Sequence, residues 1–89
     1  KKVERPRAVT LPDGSSFSLA DLPDRNTRRW VASRKAAVVR GVLYGLISEA
    51  EAEERYGVGR AEFVEWVRAV SEHGEAALRA TALQKYRQL

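Results

Sequence analysis

Two short helical patterns separated by only three residues, Gly57-Val58-Gly59, constrain this chain more than any other feature. The first pattern spans Glu49 to about Tyr56. It opens on Ser48 with Glu51 three residues later, the reciprocal capping arrangement that satisfies two orphan amide donors, and it stops at Gly57. The second spans about Arg60 to His73 and ends at Gly74, with Phe63, Trp66, Val67 and Val70 inside an arc of roughly 100° at 3.6-residue periodicity. Ala61, Glu65, Arg68 and Glu72 fall on its other side, toward solvent or a partner. Two helices joined through so short a glycine turn form the helix-turn-helix arrangement, whose second helix can enter the major groove of DNA. Val58 is expected to plug between them. Corners of this kind also occur in proteins that touch no nucleic acid, so the spacing alone leaves that choice open.

A longer helix is predicted upstream, from about Thr27 to Tyr44, with Asn26 or Thr27 as N-cap and Gly45 just beyond its end. Val31, Val38, Val39, Val42 and Leu43 share one broad face of it, and Arg29, Ser33 and Arg40 share the opposite face. Before it, Ala8-Val9-Thr10-Leu11 and Ser16-Phe17-Ser18-Leu19 flank Pro12-Asp13-Gly14, the pattern of a small β-hairpin. Two strands alone are marginal, so an apolar face drawn from Val9, Leu11, Phe17 and Leu19 must lie on the helical body or stay mobile. Asp21-Leu22-Pro23 reads as a linker. After Gly74, Glu75 to Ala80 reads as a short fourth helix, and Thr81 to Leu89 as its continuation or a tail. The expected fold is mainly α, a small helical helix-turn-helix domain at 25–80. An N-terminal arm with a β-hairpin precedes it at 1–24, and a C-terminal tail or helix extension follows at 81–89.

Composition narrows the function. Eighty-nine residues leave room for one modest core. The absence of Cys removes disulfide scaffolds, thiolate metal sites and thiol nucleophiles. A single histidine, His73, cannot supply the imidazoles usual in zinc sites, and beside Gly74 it suits a helix C-terminus. Gly57-Val58-Gly59 lacks the third glycine and the preceding strand of a phosphate loop. Trp30 and Trp66 read as core residues, and the glutamates of the second helix as solvated surface near a helix N-terminus. No enzymatic activity, metal or cofactor is expected. With no apolar run of membrane-spanning length and no signal-like start, the chain reads as cytoplasmic with no membrane association.

Charge is polarised. Residues 25–45 carry six basic side chains and no acid, whereas residues 46–57 sum to minus three, within a chain whose net charge is +4. Arg25, Arg28, Arg29, Arg34, Lys35 and Arg40 are therefore a candidate phosphate-facing patch or a dock for an acidic protein, a solvated face being the plain alternative. The candidate recognition helix itself is not basic, because Glu62, Glu65 and Glu72 offset Arg60 and Arg68.

Several runs also resemble one known family. Pro12-Asp13-Gly14, Leu19-Ala20-Asp21-Leu22-Pro23, Thr27-Arg28-Arg29-Trp30-Val31, Arg34-Lys35-Ala36 and Val38-Val39 resemble the SciP family of small CtrA-inhibitory proteins of alphaproteobacteria. The likeness continues through Ser48, Glu51-Ala52, Arg55-Tyr56, Glu62-Phe63, Trp66, His73-Gly74 and Leu78-Arg79, roughly residues 9–87. Ala32, Gly41 and Tyr44 depart from the best-known member of that family, so neither target identity nor promoter sequence carries over. The resemblance implies a helix-turn-helix repressor of the Trp-repressor or transposase type that regulates cell-cycle transcription. Its implied partners are double-stranded DNA, a CtrA-like response regulator and, at the promoter, RNA polymerase. In the direct mechanism Arg60, Ala61 and Val64, with Arg68 further on, face base edges while Arg28, Arg29, Arg34, Lys35 and Arg40 meet phosphates. The alternatives are a protein-interaction module acting without DNA contact and a transposase-derived helix-turn-helix module. Oligomeric state is left open.

Overall fold

The apolar stripes of three helices close on one another around Phe63, which is fully buried. The structure, a computed structural model, describes residues 8–11, 14–73 and 76–86. Among these, the chain is mainly helical with a short antiparallel hairpin. Strands β1 (Ala8–Thr10) and β2 (Ser16–Ser18) are followed by α1 (Ala32–Leu43), α2 (Glu49–Tyr56), α3 (Arg60–His73) and α4 (Ala76–Lys85). The Pro12-Asp13 part of the hairpin turn, the Gly74-Glu75 junction and the two ends of the chain, 1–7 and 87–89, lie outside the described residues.

The hairpin pairs Val9 with Phe17. Phe17 is buried, and Val9 and Leu11 pack half-buried against the helical core, as the alternation predicts. Leu19 does not join them. The Ser18 amide donates to the Asp21 carboxylate at 2.8 Å, a single 3-10 turn over Leu19–Asp21 ends the strand, and Leu19 is left 42% exposed. Leu22, expected in a linker, takes the buried place instead. It rests on α1 at Gly41, where a Cβ would stand only 2.9 Å from the leucine Cδ2, so the close approach depends on glycine.

Helix α1 starts five residues later than the periodicity predicts. Asn26 and Thr27 do not cap it, because both are used one turn earlier. The Asn26 amide donates to the Asp24 side chain at 2.7 Å, and the Thr27 amide to the Asp24 carbonyl at 3.0 Å. Val31 becomes the N-cap, with no side-chain capping bond, and is exposed rather than part of the core face. From there on the prediction holds: Val38 and Val39 are fully buried, Val42 and Leu43 nearly so. Trp66 is buried as expected, whereas Trp30 is half-buried, its ring packed on the core from outside α1. Helix α4 continues through Thr81 to Lys85, which places Ala82 in the core and Tyr86 against it.

The second helix forms as its sequence dictates. Ser48 Oγ accepts from the Glu51 amide at 3.0 Å while Glu51 Oε1 accepts from the Ser48 amide at 2.8 Å. Replacing Ser48 with alanine is expected to cost about 1 kcal/mol. Phe63→Ala should cost about 3–5 kcal/mol, because its site is enclosed and collapses only partly. Urea unfolding followed by circular dichroism checks both, and a Phe63→Ala loss no larger than the Ser48→Ala loss would contradict the placement of the core.

Candidate nucleic-acid interface

The corner between α2 and α3 is set by two residues. Gly57 adopts φ +66, a left-handed conformation that only glycine enters without strain. Val58 then turns inward and is 6% exposed, so it plugs the junction. Helix α3 emerges with Phe63, Trp66 and Val67 inward and Ala61, Glu65, Arg68 and Glu72 outward, the stripe that the periodicity predicts. Val64 is half-buried at its edge.

Arg60 is not left facing solvent alone. Its Nη1 forms an ion pair with the Glu49 carboxylate of α2, and the Tyr86 hydroxyl donates to the same carboxylate at 2.7 Å. One acid thus ties the start of α3 and the end of α4 to the start of α2. This corrects the reading of Glu49 as solvated surface: its side chain is 21% exposed. Sequence reasoning missed Glu49 and Tyr86 because the three partners lie far apart along the chain, and nothing in local spacing joins them. Burial first, and then the bond to Glu49, hold the Tyr86 phenol well above its usual value of 10.0.

The basic residues reach the same body by another route. Arg28 and Arg29 stand exposed on the non-helical segment before α1, not on a helix face. Arg34 is exposed in the first turn of α1 and its Nη1 donates to the Arg29 carbonyl at 2.9 Å. Lys35 Nζ lies 5.8 Å from the centroid of the Trp66 ring, a cation–π distance. Arg40 is half-buried. Trp30 pins the segment to the corner, packing edge-on against Tyr56 of α2 with centroids 5.2 Å apart and against Trp66 of α3 at 4.8 Å.

The predicted site residues therefore fall into two groups. At 100° per residue, Arg60 and Trp66 stand about 120° apart around α3. Arg60 and Val64 flank the exposed stripe on the Glu49 and Tyr86 side, and Lys35 covers Trp66 on the far flank. Arg68 lies on the stripe itself. Among the described residues there is no cluster of three or more histidines and carboxylates able to hold a metal ion. No described helix is long and apolar enough to cross a membrane.

Comparison with known proteins places the chain among relatives. The model of a family described as "Protein of unknown function (DUF1153)" matches residues 1–87. The chain is similar to the solution NMR structure of a protein coded by a Rhodobacter sphaeroides gene. The two are 61% identical with a TM-score of 0.76, over 100% of this chain and 94% of that one. It is also similar to the solution NMR structure of a second structural-genomics target, 66% identical with a TM-score of 0.63, over 100% of this chain and 88% of that one. Among curated proteins nothing matches.

A raised phenol pKa has a stability consequence of definite sign. The folded state keeps the Tyr86 proton to higher pH than the unfolded chain, whose tyrosines ionise near 10.0. This contribution is complete below that pH and is lost as pH rises toward the folded value. Stability measured by denaturant titration should thus fall above pH 10, and Tyr86→Phe should fall less steeply. Identical slopes for the two proteins would contradict the Tyr86–Glu49 bond.

Proposed function

The chain belongs to the DUF1153 family, and we propose that it acts there as a small helix-turn-helix regulator of transcription without enzymatic activity. The observation that carries this reading is the corner itself: Val58 buried between two short helices, and α3 presenting Ala61, Glu65 and Arg68 on its open side. Helix α3 enters the major groove by its N-terminal half, where Ala61 and Val64 approach base edges and Arg68 follows. Arg60 supports that approach from the flank, and the Glu49 carboxylate fixes its direction.

Phosphates are met by the basic segment. Arg28, Arg29 and Arg34 are exposed, and Lys35 and Arg40 extend the positive surface along α1. Because Trp30 holds this segment against both helices of the corner, the cations move with the recognition helix as one body. Phosphate contacts position the protein, and base contacts select the sequence. The likeness of the sequence to the SciP family supports the same reading. It extends it to cytoplasmic repression of cell-cycle promoters, with a CtrA-like response regulator and RNA polymerase as neighbours on the DNA.

One observation favours a second route. Glu51 and Glu54 of α2 and Glu62, Glu65 and Glu72 of α3 are all exposed, so the corner also carries an acidic face. That face complements a basic DNA-binding domain, and the chain then inhibits a response regulator by occupying the surface that the regulator turns to DNA.

Titration against a labelled promoter fragment and a scrambled duplex at two salt concentrations separates the routes, with and without a response-regulator DNA-binding domain. Sequence-preferring, salt-sensitive binding by the chain alone is the expected result. Binding only when the second protein is present would transfer the function to the acidic face. Neutralising Arg28 or Arg29 should each lower the slope of log K against log salt by about one. A slope unchanged in every alanine variant of Arg28, Arg29, Arg34, Lys35 and Arg40 would remove this segment from the DNA.

A further inference from the structure

On the flank of α3 away from Glu49, a groove of about 420 Å³ runs between α1 and α3. Its floor is apolar: Ala36 from α1, and Trp66, Ala69 and Val70 from α3. Its rim carries two cations, Lys35 and Arg40, on one side and the His73 imidazole on the other. No acid lines it. The Glu72 carboxylate, on the exposed stripe of α3, lies 3.9 Å from His73 Nε2. The two alanines keep the floor open, so an incoming side chain lies over Ala36, Ala69 and half-buried Val70, beside the Lys35 stem that covers Trp66.

We propose that this groove is a docking site for an acidic amphipathic segment of a partner protein. One or two apolar side chains of that segment insert between α1 and α3, and its carboxylates meet Lys35 and Arg40. The volume is at the lower end of the roughly 300–1,000 Å³ of ligand pockets, enough for an anchor and not for a large cofactor. Apolar surface beside cations is the complement of a helix-in-groove ligand with an acidic polar face. A nucleic-acid backbone has no use for the apolar floor.

A second copy of this chain fits less well. The exposed large hydrophobics among the described residues, Leu19, Val31 and Leu83, are scattered singly. Leu83 stands two residues before Lys85, Val31 sits among arginines, and Leu19 has a single acid, Asp21, on a one-turn segment. Lys35 and Arg40 also belong to the phosphate-facing set, so a docked segment excludes duplex from that part of the surface. That consequence rests on the DNA reading, whereas the docking site does not.

The test is an amide and indole shift map of the isotope-labelled full chain with a short synthetic amphipathic peptide of glutamate, leucine and phenylalanine. Control peptides replace the apolar residues with serine or the glutamates with lysine. Shifts centred on Ala36, Trp66, Ala69 and Val70 are expected. Affinity should fall about tenfold or more with the serine peptide and equally in Ala69→Glu, an exposed helical position whose variant keeps its circular dichroism spectrum. The lysine peptide should not bind. The proposal is overturned by no shifts up to millimolar peptide, by shifts centred elsewhere, by equal binding of the serine peptide, or by sedimentation showing the groove closed by a second copy. Addition of duplex should then displace the peptide. If the peptide binds in the groove but duplex does not displace it, the docking site stands and the phosphate-facing role of Lys35 and Arg40 fails.

Discussion

Trp30 is the contact on which the arrangement of the functional surface depends. Its ring lies between Tyr56 at the end of α2 and Trp66 in the middle of α3, so it reaches both helices of the corner from outside them. Trp30 meets both helices from a segment that is not helical, and Val31 directly before α1 has extended backbone angles. Tyr56 completes the constraint, because its hydroxyl donates to the Pro23 carbonyl at 2.8 Å. The segment from Pro23 to Val31 is thereby held at both ends, and the arginines it carries take a fixed place relative to α3.

What could be read from the sequence divides along the same line. The α2–turn–α3 unit was legible almost to the residue, because its determinants are local: the Ser48–Glu51 capping pair, Gly57 with φ +66, and the inward arc of Phe63, Trp66 and Val67. The start of α1 was not legible. Asn26 and Thr27 are good caps, but Asp24 draws their amides into its own turn and Trp30 is held by packing, so tertiary contacts overrule a local preference. Leu22 looked like part of a linker for a similar reason. Its burial depends on Gly41, nineteen residues on, and no local pattern shows it. The Glu49–Arg60–Tyr86 cluster likewise joins residues whose link exists only after three helices have packed.

The site expectations fared according to what they rested on. The outward stripe of α3 is a matter of period, and Ala61, Glu65, Arg68 and Glu72 are exposed. The basic patch was a matter of composition, which counts charges without placing them. Arg28 and Arg29 lie on the non-helical segment before α1, Lys35 covers Trp66, and Arg60 is engaged by Glu49 on the other flank. The surface is therefore divided, with a stripe of α3 of mixed, net acidic charge bordered by an acid-clamped edge and a cationic edge. Such a division suits a protein that reads DNA with few cations on its recognition helix and draws affinity from beside it. On the proposed reading, the apolar groove under Lys35 is a place where a protein segment and a phosphate backbone would exclude one another.

The most direct test of this account is an amide shift map of the isotope-labelled chain bound to its preferred duplex at low salt. The account predicts that perturbed residues form two connected sets, Arg28 to Lys35 and the exposed stripe from Ala61 to Arg68, with the hairpin strands unaffected. Perturbations confined to the hairpin or to α4, or no binding to any duplex, would contradict it.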